Sequence, residues 1–169
     1  QYPWNGDIAI KVDENKAGQF GMKIRIPGWV KGQPVPSDLY YYSDDKRLSY
    51  TITVNGKKVE AQVTEDGYYT INRKWKKGDV VRVHFDMEVR TVRANNKVEA
   101  DRGCISIERG PLVYCAEWPD NKGFNLMNIL ENQEPTFKEG KISYDGFIVD
   151  KYKHTLEQYK GLYLETLTN

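Results

Sequence analysis

Cys104 and Cys115 stand eleven positions apart within GCISIERGPLVYCAE, residues 103 to 117, and are the only thiols in a chain of 169 residues. Thiolates can hold zinc or act as nucleophiles, but this spacing matches no common zinc motif, and two cysteines are too few for a disulfide scaffold. The alternating runs on either side of Arg109-Gly110-Pro111 read as the arms of a β-hairpin. With the turn centred on Arg109-Gly110, Ile107 opposes Leu112, Ile105 opposes Tyr114, and Cys104 opposes Cys115. Pro111 has no N–H to give to the tightest closing pair, Glu108 with Pro111, so closure is expected one step back. The cysteines then occupy a non-hydrogen-bonded site with Cα atoms about 4.5 Å apart, at the short edge of disulfide geometry. Ile105, Ile107, Leu112 and Tyr114 share the core side; the cysteines share the other with Ser106 and Val113. Two half-buried cysteines or a plain cross-strand bridge is expected ahead of a redox switch or half a metal site, because no charged group that would depress a thiol pKa is identifiable nearby.

Glycoside hydrolysis needs two carboxylates across a scissile bond, about 5 to 5.5 Å apart in retaining enzymes and wider in inverting ones. Glu108 and Glu117 flank the hairpin and Asp101 precedes it, but alternation puts the glutamates on the less apolar face, where solvated charge is the expectation. His84 and His154 lie far apart, no serine sits in a nucleophile elbow, and each glycine is isolated in a turn, so neither a triad nor a phosphate loop has local support. His84 reads as a polar-face strand residue. Aromatics remain: Trp4, Trp29, Trp75 and the cluster Tyr40, Tyr41 and Tyr42 lie in or beside turns and could stack on sugar faces. The plainer reading has Trp29 and Trp75 capping the sandwich core. No residue of the chain is assigned a catalytic or metal-binding role.

These side chains need a scaffold, and the composition supplies an all-β one. Twelve tyrosines, four tryptophans and short Val/Ile/Thr runs are separated by Gly, Pro, Asn and Asp. The charge balance, 25 Lys and Arg against 24 Asp and Glu, gives no drive toward nucleic acid. No apolar run approaches the roughly 20 residues of a membrane-spanning helix, so no membrane partner is expected. Gln1, rather than methionine, opens the chain, as expected of a processed chain or a piece of a longer protein.

Asp7–Val12 and Gly21–Ile26 alternate as half-buried strands, joined as a hairpin or by a crossing between sheets. Residues 31 to 50 lack periodicity and read as a long surface excursion. In YTITVNGKKVEAQV, Asn55-Gly56 between alternating runs marks a hairpin; YYTINR and VVRVHFDMEV follow as strands. Turns at this spacing predict an antiparallel β-sandwich over residues 1 to 92. A second β-rich unit is placed at 93 to 169, with strands in GKISYDGFIVDKY and YKGLYLETLT and one helical turn in FNLMNILEN. It is expected to be incomplete at its C-terminus, because the chain ends inside an apparent strand.

Five motifs agree in order with a known pattern: YPWNGDIAIKV, MKIRIPGW, QPVPSDLY, the run VNGKKV to GYYTINRKWKKGDVVRVHF, and GCISIERGPLVYCAE. Together, over about residues 2 to 118, they resemble the C-terminal β-sandwich region of the bacterial β-L-arabinofuranosidase family, similar to glycoside hydrolase family 127. The resemblance implies a parent whose N-terminal (α/α)6 barrel carries catalysis with a cysteine nucleophile on zinc, held by further cysteines and a glutamate, and a glutamate acid/base. This chain has too few cysteines for that set, so it is expected to hold no cofactor; the zinc belongs to the parent's barrel. The expected function is a non-catalytic accessory region packing against that barrel, with Trp4 and the tyrosines Tyr40, Tyr41 and Tyr42 at the contact. The alternatives are a free-standing carbohydrate-binding module and a purely structural Ig-like module. The resemblance favours a periplasmic or extracellular parent.

Overall fold

The computed structural model describes the backbone of residues 2–60, 63–115, 127–129, 136–149 and 156–166, with side chains at 2–60, 63–115 and 136–142. The strands, in chain order, are β1 Asp7–Lys11, β2 Gln19–Arg25, β3 Tyr40–Tyr42, β4 Tyr50–Val54, β5 Lys57–Lys58, β6 Tyr68–Lys74, β7 Val80–Phe85, β8 Val89–Ala94, β9 Ile105–Arg109, β10 Leu112–Cys115, β11 Met127–Ile129, β12 Thr136–Lys138, β13 Lys141–Val149 and β14 Leu156–Thr166. Between them, among the described residues, lie two short 3-10 turns and no α-helix. Every strand pairing is antiparallel.

Three sheets result: β1-β7-β4-β5; the pair β2-β6; and a large sheet ordered β11-β13-β14-β10-β9-β8-β3, with β12 added on β13. The alternation in VVRVHF puts Val81, Val83 and Phe85 inward, each at most 2% exposed, and Arg82 and His84 outward. Those three meet Ile52 and Val54 of β4, Ile24 of β2, Tyr69 and Ile71 of β6, and Tyr42 and Val92 from the large sheet in one core. Each fully buried side chain of this size contributes roughly 1.5–3 kcal/mol. The structure is thus the all-β antiparallel sandwich that the alternation predicted.

The large sheet serves two cores. Val92 of β8 packs into the first, whereas Val89 of β8 and Ile105 and Ile107 of β9 pack with Leu112, Tyr114 and Ile142 in a second. The division expected at residues 92 and 93 falls within β8, which carries apolar side chains on both faces.

Of the two links expected between β1 and β2, the crossing between sheets is present, since β1 pairs with β7 and β2 with β6. Other expectations change. Residues 31 to 50 are not simply a surface excursion: they supply β3, which pairs with β8, and Tyr42 and Leu48 are buried in the core. VVRVHFDMEV breaks at residues 86–88 into strands of different sheets. Residues 127–129 of the expected helical turn form a strand on β13; the rest of that turn lies outside the described residues. The Asn55-Gly56 hairpin is present, with φ of 51° and 78°, the left-handed pair of a type I′ turn.

The register of the β9–β10 hairpin also differs. Arg109 pairs with Leu112, Glu108 with Val113 and Ile107 with Tyr114, so the turn is Gly110-Pro111. Gly110 has φ 61°, and a Gly at φ > 0 followed by a Pro matches a two-residue II′ turn. Pro111's missing N–H then falls inside the turn, where no ladder bond is needed. This register carries Cys104 and Cys115 past one another by two residues, and neither is in a disulfide: Cys104 is exposed and Cys115 half-buried. Both remain on the side opposite Ile107 and Tyr114, as alternation requires.

Candidate functional site

Strands β3, β8 and β9 gather the most densely bonded polar group of the described residues. Arg90 of β8 sits directly opposite Glu108 of β9, on the same face as core Val92, so its guanidinium is forced inward and only 3% of the side chain is exposed. It needs acceptors there. Nε and Nη2 donate to the two carboxylate oxygens of Asp44 at 3.2 and 2.7 Å, Nη1 to the Trp29 carbonyl at 3.3 Å and Nη2 to the Lys46 carbonyl at 3.1 Å. The guanidinium also lies 3.4 Å from the Tyr42 ring centroid, and the Tyr42 hydroxyl donates to Glu108 at 3.0 Å.

Burial pushes the Glu108 carboxyl above its ordinary range, against the Tyr42 hydrogen bond and the Arg90 charge. Burial, followed by the negative charge of Glu108, holds the Tyr42 phenol well above its usual value. Burial also works to raise Asp44, but hydrogen bonds from Arg90 and from the Lys46 N–H outweigh it and hold this carboxyl low. Beside the cluster an open cleft of about 620 Å³ is lined by Lys31, Gln33, Tyr41, Asp44, Asp45 and Arg47, among others. Asp44 is committed to the Arg90 fork and Glu108 to Tyr42, so the cluster braces the cleft and offers no acid and nucleophile pair. Glu108 is therefore not the solvated charge that alternation suggested. Glu117 and His154 lie outside the described residues.

A second polar group lies on the outer face of β1-β7-β4. His84 is hydrogen-bonded through Nδ1 to Asp7 at 2.7 Å, and its Nε2 lies 3.3 Å from Asp86. The hydrogen bond to Asp7, with the weaker help of Asp86, raises the imidazole pKa against the opposing desolvation. Thr51, Thr53 and Arg82 are among the other residues that line this open face.

The six aromatics proposed as sugar contacts do not form one platform. Trp29, Trp75 and Tyr42 are core residues, 8%, 2% and 6% exposed; Trp29 packs edge-on against Phe85, and Trp75 donates through its indole N–H to the Phe20 carbonyl at 3.0 Å. Tyr40 and Tyr41 are neighbours on a strand and so point to opposite faces. The Tyr40 hydroxyl donates to Asp101 at 2.8 Å. Trp4 and Tyr41 are exposed. Among the described residues no three His, Cys, Asp or Glu side chains converge to hold a metal ion, and Cys104 and Cys115 do not fit a three-thiolate zinc set.

Sequence reasoning missed the Arg90–Asp44 pair. Its signal was an arginine two positions before Val92 in a strand whose other face is also apolar, which forces a charge inward and demands a buried acid.

Comparison with known proteins decides the family. A family model described as beta-L-arabinofuranosidase, GH127 middle domain, matches residues 1–87, and one described as the glycoside hydrolase family 127 C-terminal domain matches residues 89–159. The chain belongs to glycoside hydrolase family 127. Among family 127 relatives, a non-reducing end beta-L-arabinofuranosidase of Bifidobacterium longum is 37% identical over 131 residues, 72% of this chain and 16% of that protein. A solved GH127 beta-arabinofuranosidase is 47% identical with a TM-score of 0.82, over 98% of this chain and 27% of its own. The GH127 beta-L-arabinofuranosidase Ara127N-Se of Geobacillus stearothermophilus is 28% identical with a TM-score of 0.72, over 98% of this chain and 26% of its own. The chain thus spans about a sixth of the curated relative and about a quarter of the solved ones.

Proposed function

We propose that the chain is the non-catalytic accessory part of a family 127 β-L-arabinofuranosidase, packing against the parent's own (α/α)6 barrel and supporting it. The observation that carries this reading is its place in the family: it matches the middle and C-terminal domains and covers only 27% of a solved relative of the same fold. The engagement of Asp44 with Arg90, of Glu108 with Tyr42 and of Trp29 and Trp75 in the core supports it, because these carboxylates and indoles serve the scaffold. Release of a β-linked L-arabinofuranosyl sugar, and the zinc chemistry that the resemblance implies, belong to the barrel. The test is to assay the intact protein carrying this segment, and the 169-residue chain alone, on a β-L-arabinofuranoside. Activity in the intact protein and none in the chain is the expected result. Hydrolysis by the chain alone would overturn the reading.

A further inference from the structure

The segment Tyr2–Gly6 is held more firmly than an exposed surface segment requires. The Gly6 carbonyl accepts from the Phe85 N–H at 3.1 Å, and a Cβ on Gly6 would lie 1.8 Å from the Phe85 carbonyl oxygen, so only glycine permits the approach. The Asn5 side-chain oxygen accepts from the Asp7 N–H at 3.0 Å, and the Trp4 carbonyl accepts from Arg109 Nη1 at 3.0 Å. Arg109 in turn lies over the Phe137 ring, 4.0 Å from its centroid. One arginine thus ties YPWNG to the β9–β10 hairpin and to β12. What these bonds present outward is apolar. Trp4, at 58%, is the most exposed large hydrophobic side chain of the described residues, and Tyr2 and Phe137 are exposed with it. A tryptophan on a fixed backbone loses little freedom when covered, and Trp and Arg are the residue types enriched at interface hot spots.

We propose that Trp4, with Arg109 and Phe137, anchors the interface on which the preceding N-terminal polypeptide of the parent enzyme seats. The inference rests on the accessory reading above and names the surface it uses. The occupant follows from the family assignment: residues 1–87 match a domain described as the middle one, so in the relatives polypeptide precedes it, and this fold is 27% and 26% of the two solved relatives' chains. In the relatives that polypeptide lies on the N-terminal side of the middle domain, the side of this sequence that carries Trp4. Arg109 and Phe137 belong to the part matched as the C-terminal domain, so an occupant seated on Trp4 touches both units and holds them in one orientation.

Hydroxyl-radical footprinting of the intact protein tests this, with oxidation at Trp4 compared with Tyr41, which is 49% exposed on β3, after correction for intrinsic reactivity. Trp4 is expected to react about tenfold more slowly or less, and Trp4→Ala is expected to free its partner residues in the preceding polypeptide while buried Trp75 stays protected. Should the variant not fold, the ratio in the unsubstituted protein decides alone. Trp4 reacting as fast as Tyr41, with another face of residues 2–115 protected, would overturn this interface and leave the accessory role standing. If every exposed aromatic of residues 2–115 reacts freely, docking itself fails and both readings fall. Protection of Trp4 that grows with protein concentration would assign the surface to a second copy and overturn the proposal.

Discussion

The Arg90 guanidinium lies over the Tyr42 ring, 3.4 Å from its centroid, with its fork on Asp44 and the Tyr42 hydroxyl turned to Glu108. A cation that is desolvated, stacked and fork-bonded at once is an anchor for the sheet that two cores share, and its removal should be costly. Arg90→Ala is expected to lower stability by about 2–3 kcal/mol: less than the 3–5 kcal/mol of a fully buried pair, because Asp44 keeps some solvent. Arg90→Lys should recover only part, since an ammonium cannot fork. Urea unfolding at neutral pH measures both.

Glu108 gives a pH signature of its own. Its folded pKa is raised from the ordinary 4.5, with burial as the leading cause, so the folded state holds this proton longer than the unfolded chain does. Its contribution to stability is therefore full at low pH and is lost as pH rises through the folded pKa. Glu108→Gln keeps an acceptor for Tyr42 and removes the charge. The variant is expected to match the unsubstituted chain in stability near pH 4 and to exceed it at pH 7. Melting curves at the two pH values decide it.

His84 behaves in the corresponding way for a base. Asp7, as its main partner, raises the imidazole pKa above 6.5, so its stabilisation is complete below the unfolded value and disappears as pH climbs through the folded one. Asp7→Asn should return the His84 pKa toward 6.5 in an NMR titration, with little change in melting temperature because the pair is half exposed.

Gly6→Ala places a methyl group against the Phe85 carbonyl. A loss of about 2 kcal/mol or more is expected, with faster hydrogen exchange at the Phe85 amide, which now donates to Gly6.

Neither Cys104 nor Cys115 is in a disulfide. Reductant is expected to leave the melting temperature within about 1 °C, since no loop is closed in the unfolded chain. A thiol reagent should label exposed Cys104 faster than half-buried Cys115.

The period-two alternation of β1, β4 and β7 and the Asn55-Gly56 turn were legible residue by residue, because a strand's two faces and a type I′ turn are local properties. So was the inward placement of Ile107 and Tyr114, which survives the change in register because a shift of two residues preserves the face. The pairing of Asp7 with His84, 77 positions apart, was not. Nor was the burial of Tyr42 and Leu48 from an aperiodic stretch, or the inward turn of Arg90. By itself the sequence determined the class of fold, the strands, most of their faces and, through its motifs, the family. Only the tertiary structure decided which strands pair beyond the two local hairpins, which aromatics are core and where a buried charge finds its partner. The physical reason is that local backbone sterics and alternation act over a few residues, whereas sheet order and charge burial depend on surfaces brought together from distant parts of the chain.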